Sequence, residues 1–134
     1  MPTITAIEGI GDAYAAKLRQ AGIRTTEALL EKGATVKGRK ELAEATGFSE
    51  KLILEWVNRA DLFRVPGIGP QFSDLLESAG VDTVRELAVR KAKTLLETLT
   101  KVNEEKNKVN RLPTLNAVED WIKSAKGLPK KIQY

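Results

Sequence analysis

Cysteine and histidine are both absent from this sequence of 134 residues. The absence of cysteine excludes a disulfide framework and a thiolate metal site. The absence of histidine removes the commonest metal ligand and the usual general base near neutral pH. Aspartate, glutamate, lysine and tyrosine remain for chemistry, and no spacing organises them into a catalytic set. We therefore expect a protein that is not an enzyme and that needs no organic cofactor.

Long apolar runs are missing as well. No stretch approaches the roughly 20 apolar residues that a membrane-spanning helix requires. The N-terminus has no basic segment followed by an apolar one, which a secretory signal would show. These features predict a soluble, cytoplasmic protein without a membrane partner.

Positive charge is concentrated in the last third of the chain. The net charge is +4, from 22 basic and 18 acidic residues. Residues 90–134 contain eleven basic and five acidic residues, whereas residues 65–89 contain one basic and four acidic residues. This excess is compatible with nucleic-acid binding, and it is equally compatible with a lysine-rich solvated surface.

The sequence contains an internal repeat. The segment from Ile7 to Leu29 recurs from Val65 to Leu87, 58 positions later. The identical positions of the first copy are Gly9, Ile10, Gly11, Leu18, Ala21, Gly22, Thr25 and Leu29. A second match, 65 positions apart, relates the segments around Trp56 and Trp121. The repeat predicts two related modules, residues 1–62 and 63–126, followed by a basic C-terminal tail, residues 127–134.

Apolar periodicity predicts helices almost throughout, and strand-like alternation is absent. The expected fold is all-α, with two duplicated modules in one compact body. We expect a loop from Gly33 to Gly38, a helix over 40–45, and a longer helix that includes Leu95 and Val109. The side chains expected to be mostly buried are Tyr14, Leu18, Ile23, Leu29, Trp56, Val57, Phe72, Leu76, Val81, Leu87, Trp121 and Ile122.

The two G-I-G segments are the strongest functional pattern in the chain. Gly9-Ile10-Gly11 and Gly67-Ile68-Gly69 each precede a predicted helix of about ten residues. Such a turn exposes backbone N–H groups beside a helix N-terminus, which is a place where anions bind. We expect Gly11 to require a residue without a Cβ, because the turn is tight.

These residues resemble a known motif. The run Val65 to Pro70, followed by Gly80-Val81 and Thr83, resembles the helix-hairpin-helix motif of DNA-repair polymerases, ligases and Holliday-junction proteins. The segment from Leu42 to Ser49 looks like the second hairpin in recombinase N-terminal domains. Over residues 4–126, the chain looks like a bacterial family of tandem helix-hairpin-helix domains whose function is unassigned.

The resemblance implies a DNA-binding role that does not depend on base sequence. Phosphate would be held by the backbone at Gly9, Ile10 and Gly11, with Lys17 and Arg19 assisting, and at Gly67, Ile68 and Gly69. Some relatives bind sodium or potassium through backbone carbonyls of the hairpin. The matching carbonyls here belong to Thr5, Ile7 and Ile10 in the first copy, and to Phe63, Val65 and Ile68 in the second.

Acidic residues near both turns favour an alternative. Asp12 stands at the mouth of the first turn, and Asp74 and Glu77 follow the second. A carboxylate within about 6 Å of a phosphate would offset much of what the amides supply. The alternative is therefore a protein-interaction scaffold built on the same turns. The predicted partner is duplex or branched DNA in the first case and a protein in the second.

Overall fold

Threonine and serine side chains start most of the helices in the computed structural model, which describes residues 2–134. The side-chain oxygens of Thr25, Thr35, Thr83 and Thr114 each accept a hydrogen bond from a backbone N–H three residues later. Ser49 does the same for Leu52 at 3.1 Å. Each bond satisfies a donor of the first helical turn that has no partner within its helix, which stabilises the helix start.

The described residues form a short 3-10 turn and eight α-helices. The 3-10 turn spans Ile4–Ala6. The helices are α1 Asp12–Gln20, α2 Thr26–Gly33, α3 Val36–Thr46, α4 Glu50–Leu62, α5 Pro70–Ser78, α6 Val84–Ala88, α7 Ala92–Lys106 and α8 Leu115–Gly127. Over residues 2–134 there is no β-strand, only an isolated bridge between Thr3 and Thr25. The all-α prediction is confirmed.

Two predicted boundaries are wrong. The expected loop from Gly33 to Gly38 is short, because Thr35 caps α3 and brings the helix start forward to Val36. The long helix does not reach Val109, because Asn107 takes a left-handed conformation with φ of 50° and ends α7. Asn103 then exchanges two side-chain hydrogen bonds with the backbone of Val109, which fixes the chain after the helix.

The chain divides into two compact units, each with its own core. Within the described residues, the first unit contains residues 2–61 together with Lys131–Tyr134. In it, Arg39 is buried and donates hydrogen bonds to the carbonyls of Gly33, at 2.8 Å, and Gln133, at 2.6 Å. The Gln133 N–H donates to the carbonyl of Ala34 at 2.7 Å, and the Ile132 side chain is buried. The last four residues are thus integral to this unit.

The second unit contains Leu62–Lys130. Its last helix, α8, packs against α6 and α7. The second unit contains helices α5 to α8, and its apolar core is formed by side chains of these helices and of the segments between them. Its buried side chains are Leu62, Val65, Ile68, Leu75, Leu76, Val81, Val84, Leu87, Leu95, Leu99, Val109, Val118, Trp121, Ile122 and Ala125.

Most of the predicted core residues are buried. The confirmed residues are Leu18, Ile23, Leu29, Trp56, Val57, Leu76, Val81, Leu87, Trp121 and Ile122. The prediction for Tyr14 is wrong, because its side chain is 42% exposed. The Tyr14 ring contacts Phe48 and Trp56 at centroid distances of 5.1 and 5.3 Å, and the rest of the side chain faces solvent. Phe72 is only partly buried.

No helix within residues 2–134 combines the length and the apolar character needed to cross a bilayer.

Candidate functional site

The first glycine turn, Ile7–Gly11, leads directly into α1. The N–H of Ile10 donates to the carbonyl of Ile7 at 3.1 Å, which closes the turn. Gly9 has a φ of +95°, in the region that side chains with a Cβ rarely adopt, so glycine is required there. Gly11 is the N-cap of α1 and no side chain accepts from the N–H groups of the first helical turn. These donors therefore face outward without a capping group.

The second glycine turn, Val65–Gly69, has the same local geometry ahead of α5. The N–H of Ile68 donates to Val65 at 3.1 Å, Gly67 has a φ of +91°, and Gly69 is a helix N-cap without a side-chain hydrogen bond. The shared hydrogen bonds occur at positions 58 residues apart, as in the sequence alignment. Whether the complete modules superpose remains a prediction of the repeat.

The expectation that Gly11 needs a residue without a Cβ is wrong. Its φ of −86° is open to any residue, and a Cβ added there meets no atom within 4 Å. Gly69 is equally unconstrained, with a φ of −112° and open space where a Cβ would lie. Glycine is instead required two residues earlier, at Gly9 and Gly67, where φ is positive. At the helix N-caps, glycine instead keeps the approach to the amides unobstructed.

The helix that follows the first glycine turn carries exposed charges of both signs. Asp12, Lys17 and Arg19 are all exposed on α1. The predicted phosphate contacts require this exposure of the two basic residues. The Lys17 ammonium lies 5.9 Å from the centre of the Phe48 ring. Sequence reasoning missed Arg59, which lies on α4 and donates from Nη1 to the carbonyl of Glu8 at 3.2 Å. No local pattern could identify it, because 51 residues separate the two.

The surroundings of the second glycine turn are different. Asp74 is only 8% exposed, and its carboxylate pairs with Lys108 Nζ at 3.1 Å. Its negative charge is therefore compensated, unlike the exposed carboxylate that the sequence suggests. A depression of about 380 Å³ at this turn is lined by Gly69, Pro70, Gln71 and Phe72. This lining contains no basic residue, and Lys108, which reaches α5, is paired with Asp74.

The two tryptophans support the turns from within their units. Trp121 is 3% exposed, its ring lies 5.1 Å from that of Phe72, and its Nε1 would be 3.0 Å from a Cβ added at Gly67. Trp56 is also 3% exposed and contacts Tyr14 and Phe48. Both rings are core side chains, which leaves no exposed face for base stacking.

The carbonyls predicted to hold a monovalent cation belong to Thr5, Ile7 and Ile10 in the first copy and to Phe63, Val65 and Ile68 in the second. Those of Ile7 and Val65 each accept the hydrogen bond that closes their turn. A carbonyl oxygen has two lone pairs, so this bond leaves one available for a cation. Residues 2–134 contain no cluster of three carboxylate, histidine or cysteine side chains able to bind a metal. The sodium or potassium site would thus depend on backbone oxygens, and it stays a prediction.

The fold and the site together define an all-helical protein in which two glycine turns each open a nine-residue helix with an uncapped N-terminus. Residues 8–128 match the family model described as Domain of unknown function (DUF4332). This match covers most of the chain, and the protein belongs to that family. Neither the curated proteins nor the solved structures contain a match to it.

Proposed function

We propose that the protein is a non-catalytic module that binds the backbone of DNA without reading base sequence, and that the first glycine turn is its main phosphate contact. The observation that carries the proposal is the open N-terminus of α1. Gly11 has no capping side chain, and Gly9 and Gly11 are both exposed, with no atom within 4 Å of where a Cβ would lie. A phosphate oxygen can approach the N–H groups closely, and the helix dipole favours its charge.

The cations near the first turn support the same role. The side chains of Lys17 and Arg19 form no ion pair with any residue of 2–134, so both are available to phosphates. Lys17 lies six residues after Gly11, about 9 Å along the helix axis. Arg59 lies beside the turn through its bond to Glu8, and its side chain has a further partner as well. Lys17 and Arg19 thus give α1 two exposed cations against the one exposed carboxylate of Asp12.

The primary test is a fluorescence anisotropy titration with labelled duplex and branched DNA at two salt concentrations. We expect affinity in the micromolar range or weaker, and a steep loss with added salt, because each phosphate contact releases condensed counterions. Similar affinities for unrelated base sequences are also expected. The absence of any DNA binding at low salt would overturn the proposal.

Gly11→Ala is expected to weaken duplex DNA binding about tenfold and to leave the fold intact. The added methyl group meets no protein atom, yet it would stand in the approach to the α1 amides. Losing one hydrogen bond to a charged phosphate costs about 1.5–3 kcal/mol, which corresponds to tenfold or more in affinity. Anisotropy titration measures the affinity, and circular dichroism verifies the fold.

Gly127→Ala provides the matched control, because a Cβ at this helical position also meets nothing within 4 Å. It should change neither the affinity nor the fold. Gly69→Ala should weaken binding less than Gly11→Ala, since no cation lines the depression at the second turn. Unchanged DNA affinity in Gly11→Ala would exclude the first turn as the phosphate contact.

Asp12→Asn and Lys17→Glu are expected to change the affinity in opposite directions. Removing the carboxylate at the mouth of the first turn should strengthen binding by roughly 1 kcal/mol at low salt, about fivefold. Reversing the charge of Lys17 should weaken binding by at least as much. Both side chains are exposed, so the thermal stability of each variant should stay near that of the wild type. If Asp12→Asn, Lys17→Glu and the wild type bound DNA with equal affinity at low salt, this result would contradict the proposed site.

A protein partner at the second turn is the other candidate function. The depression beside Gly69 is bounded by Pro70 and by the partly buried Phe72, and it lacks a basic side chain. Such a lining suits an apolar side chain of a protein better than a phosphate. If DNA binding is absent or unaffected by changes at both turns, the turns are architectural and this scaffold function is favoured.

A further inference from the structure

A groove in the second unit is lined mainly by basic residues. It has a volume of about 360 Å³ and lies between the start of α7 and residues 119–126 of α8. Its lining residues are Arg90, Lys91, Ala92, Glu119, Ile122, Lys123 and Lys126. We call it the basic groove. It is formed by none of the residues of the two glycine turns.

The charges of the basic groove are largely uncompensated. Four of its seven lining residues are basic and one is acidic. The ammonium groups of Lys91, Lys123 and Lys126 form no ion pair or hydrogen bond with any residue of 2–134. Arg90 is held in position by a hydrogen bond from Nη2 to the carbonyl of Ala79 at 3.4 Å. The groove therefore contains one cation held by a hydrogen bond, Arg90, and three lysines that are available to bind an anion.

The lining of the groove favours a polyanion whose phosphates are separated by less polar groups. Ala92 and Ile122 line the groove together with the cations, and their apolar surface suits the sugars of a nucleic-acid backbone. Lys123 and Lys126 are three residues apart on α8, about 4.5 Å along its axis and on one face. The N–H groups in the first turn of α7 add to the positive potential, because its N-cap, Lys91, makes no side-chain hydrogen bond to them.

We propose that the basic groove is a second nucleic-acid contact, which binds backbone phosphates through Lys91, Lys123 and Lys126. This inference rests on the proposed function and extends it to a surface outside the glycine turns. The groove supplies additional phosphate contacts and thereby a large part of the salt dependence. An acidic protein segment would meet the same cations, and the experiment distinguishes it from DNA.

The test compares the salt dependence of duplex DNA binding in two double variants of equal net charge. Log affinity falls as log salt rises. In Lys123→Gln with Lys126→Gln, this negative slope should become shallower by about 2, because each lost phosphate contact contributes about 1. The control, Lys40→Gln with Lys101→Gln, removes two exposed lysines that do not line the groove. Its slope should stay within about 0.5 of the wild-type value, which is less than the change of about 1 expected for the loss of one phosphate contact. Equal slopes in the two double variants would overturn the inference.

Amide chemical shifts separate this inference from the proposed function. Titration of the ¹⁵N-labelled protein with a short DNA duplex should shift the amides of residues 90–94 and 122–126 as well as those of 9–13. Shifts at the turn alone would reject the groove and leave the proposed function standing. Shifts at the groove alone would reject the turn and keep the groove. Groove shifts with an acidic peptide and none with DNA would reject both nucleic-acid contacts.

Discussion

Trp121→Ala is expected to lower the free energy of unfolding by about 3–5 kcal/mol, the range typical of a large buried aromatic side chain. The ring is 3% exposed, contacts Phe72, and lies against Gly67 in the second glycine turn. The surrounding core is closely packed, so a cavity at this position can collapse only in part. We expect a similar loss for Trp56→Ala, because Trp56 is equally buried between Tyr14 and Phe48.

Urea denaturation followed by circular dichroism measures both losses. The chain has two tryptophans, so the fluorescence of the remaining one reports on the unit that was not altered. Val89→Ala is the control in the second unit, since Val89 is 79% exposed and its truncation should change stability by less than about 0.5 kcal/mol. A loss below about 1 kcal/mol in Trp121→Ala would mean that the ring does not anchor the core of its unit.

The helices and turns could be predicted because their causes are local. Thr25, Ser49 and Thr114 cap helices by accepting hydrogen bonds from N–H groups only three residues away, so the cause of each helix start lies within a short stretch of sequence. The left-handed glycines at the two turns follow from G-I-G segments in the same way. The error at Gly11 has a local cause too. The sequence indicates that a turn is present, but it does not indicate which of the two glycines in each segment has the positive φ.

The surroundings of the candidate site could not be predicted, because they depend on contacts between distant segments. Asp74 is 34 residues from Lys108, so the sequence alone does not reveal that Lys108 compensates the charge of Asp74. Arg59 reaches Glu8 only through the packing of the first unit. The basic groove joins residues 90–92 to a helix that begins at Leu115. The charge pattern identified the basic region, and only the fold assembled its lysines into one groove.

The exposure of Tyr14 illustrates a limit of periodicity. An aromatic residue at a helical position suitable for burial is usually a core residue, and Trp56 fulfils that expectation. The Tyr14 ring instead contacts the buried Trp56 ring, while 42% of the Tyr14 surface stays exposed to solvent. Periodicity identifies the face of a helix that packs, but the depth of burial depends on how far the neighbouring helices extend.

Gly38→Ala is expected to destabilise the protein by about 1–3 kcal/mol, the range for an overpacked site. In an exposed helix the same change usually stabilises by up to about 1 kcal/mol, so the expected sign is reversed. Gly38 is buried in the first turn of α3, and a Cβ there would overlap the backbone carbonyl of Lys32 in α2. A backbone atom cannot rotate away as a side chain can.

A graded series of Gly→Ala variants tests this reasoning by thermal and urea denaturation. At Gly33 the added Cβ would meet a methyl group of the buried Val57 side chain, so we expect a loss there as well. It should be smaller than at Gly38, because a side chain can shift further than a backbone carbonyl. At Gly127 the added Cβ would meet nothing within 4 Å, so stability should be unchanged or slightly higher. The expected order of stability is therefore Gly127→Ala above Gly33→Ala above Gly38→Ala. A Gly38→Ala protein as stable as the wild type would falsify the close approach of α2 to α3.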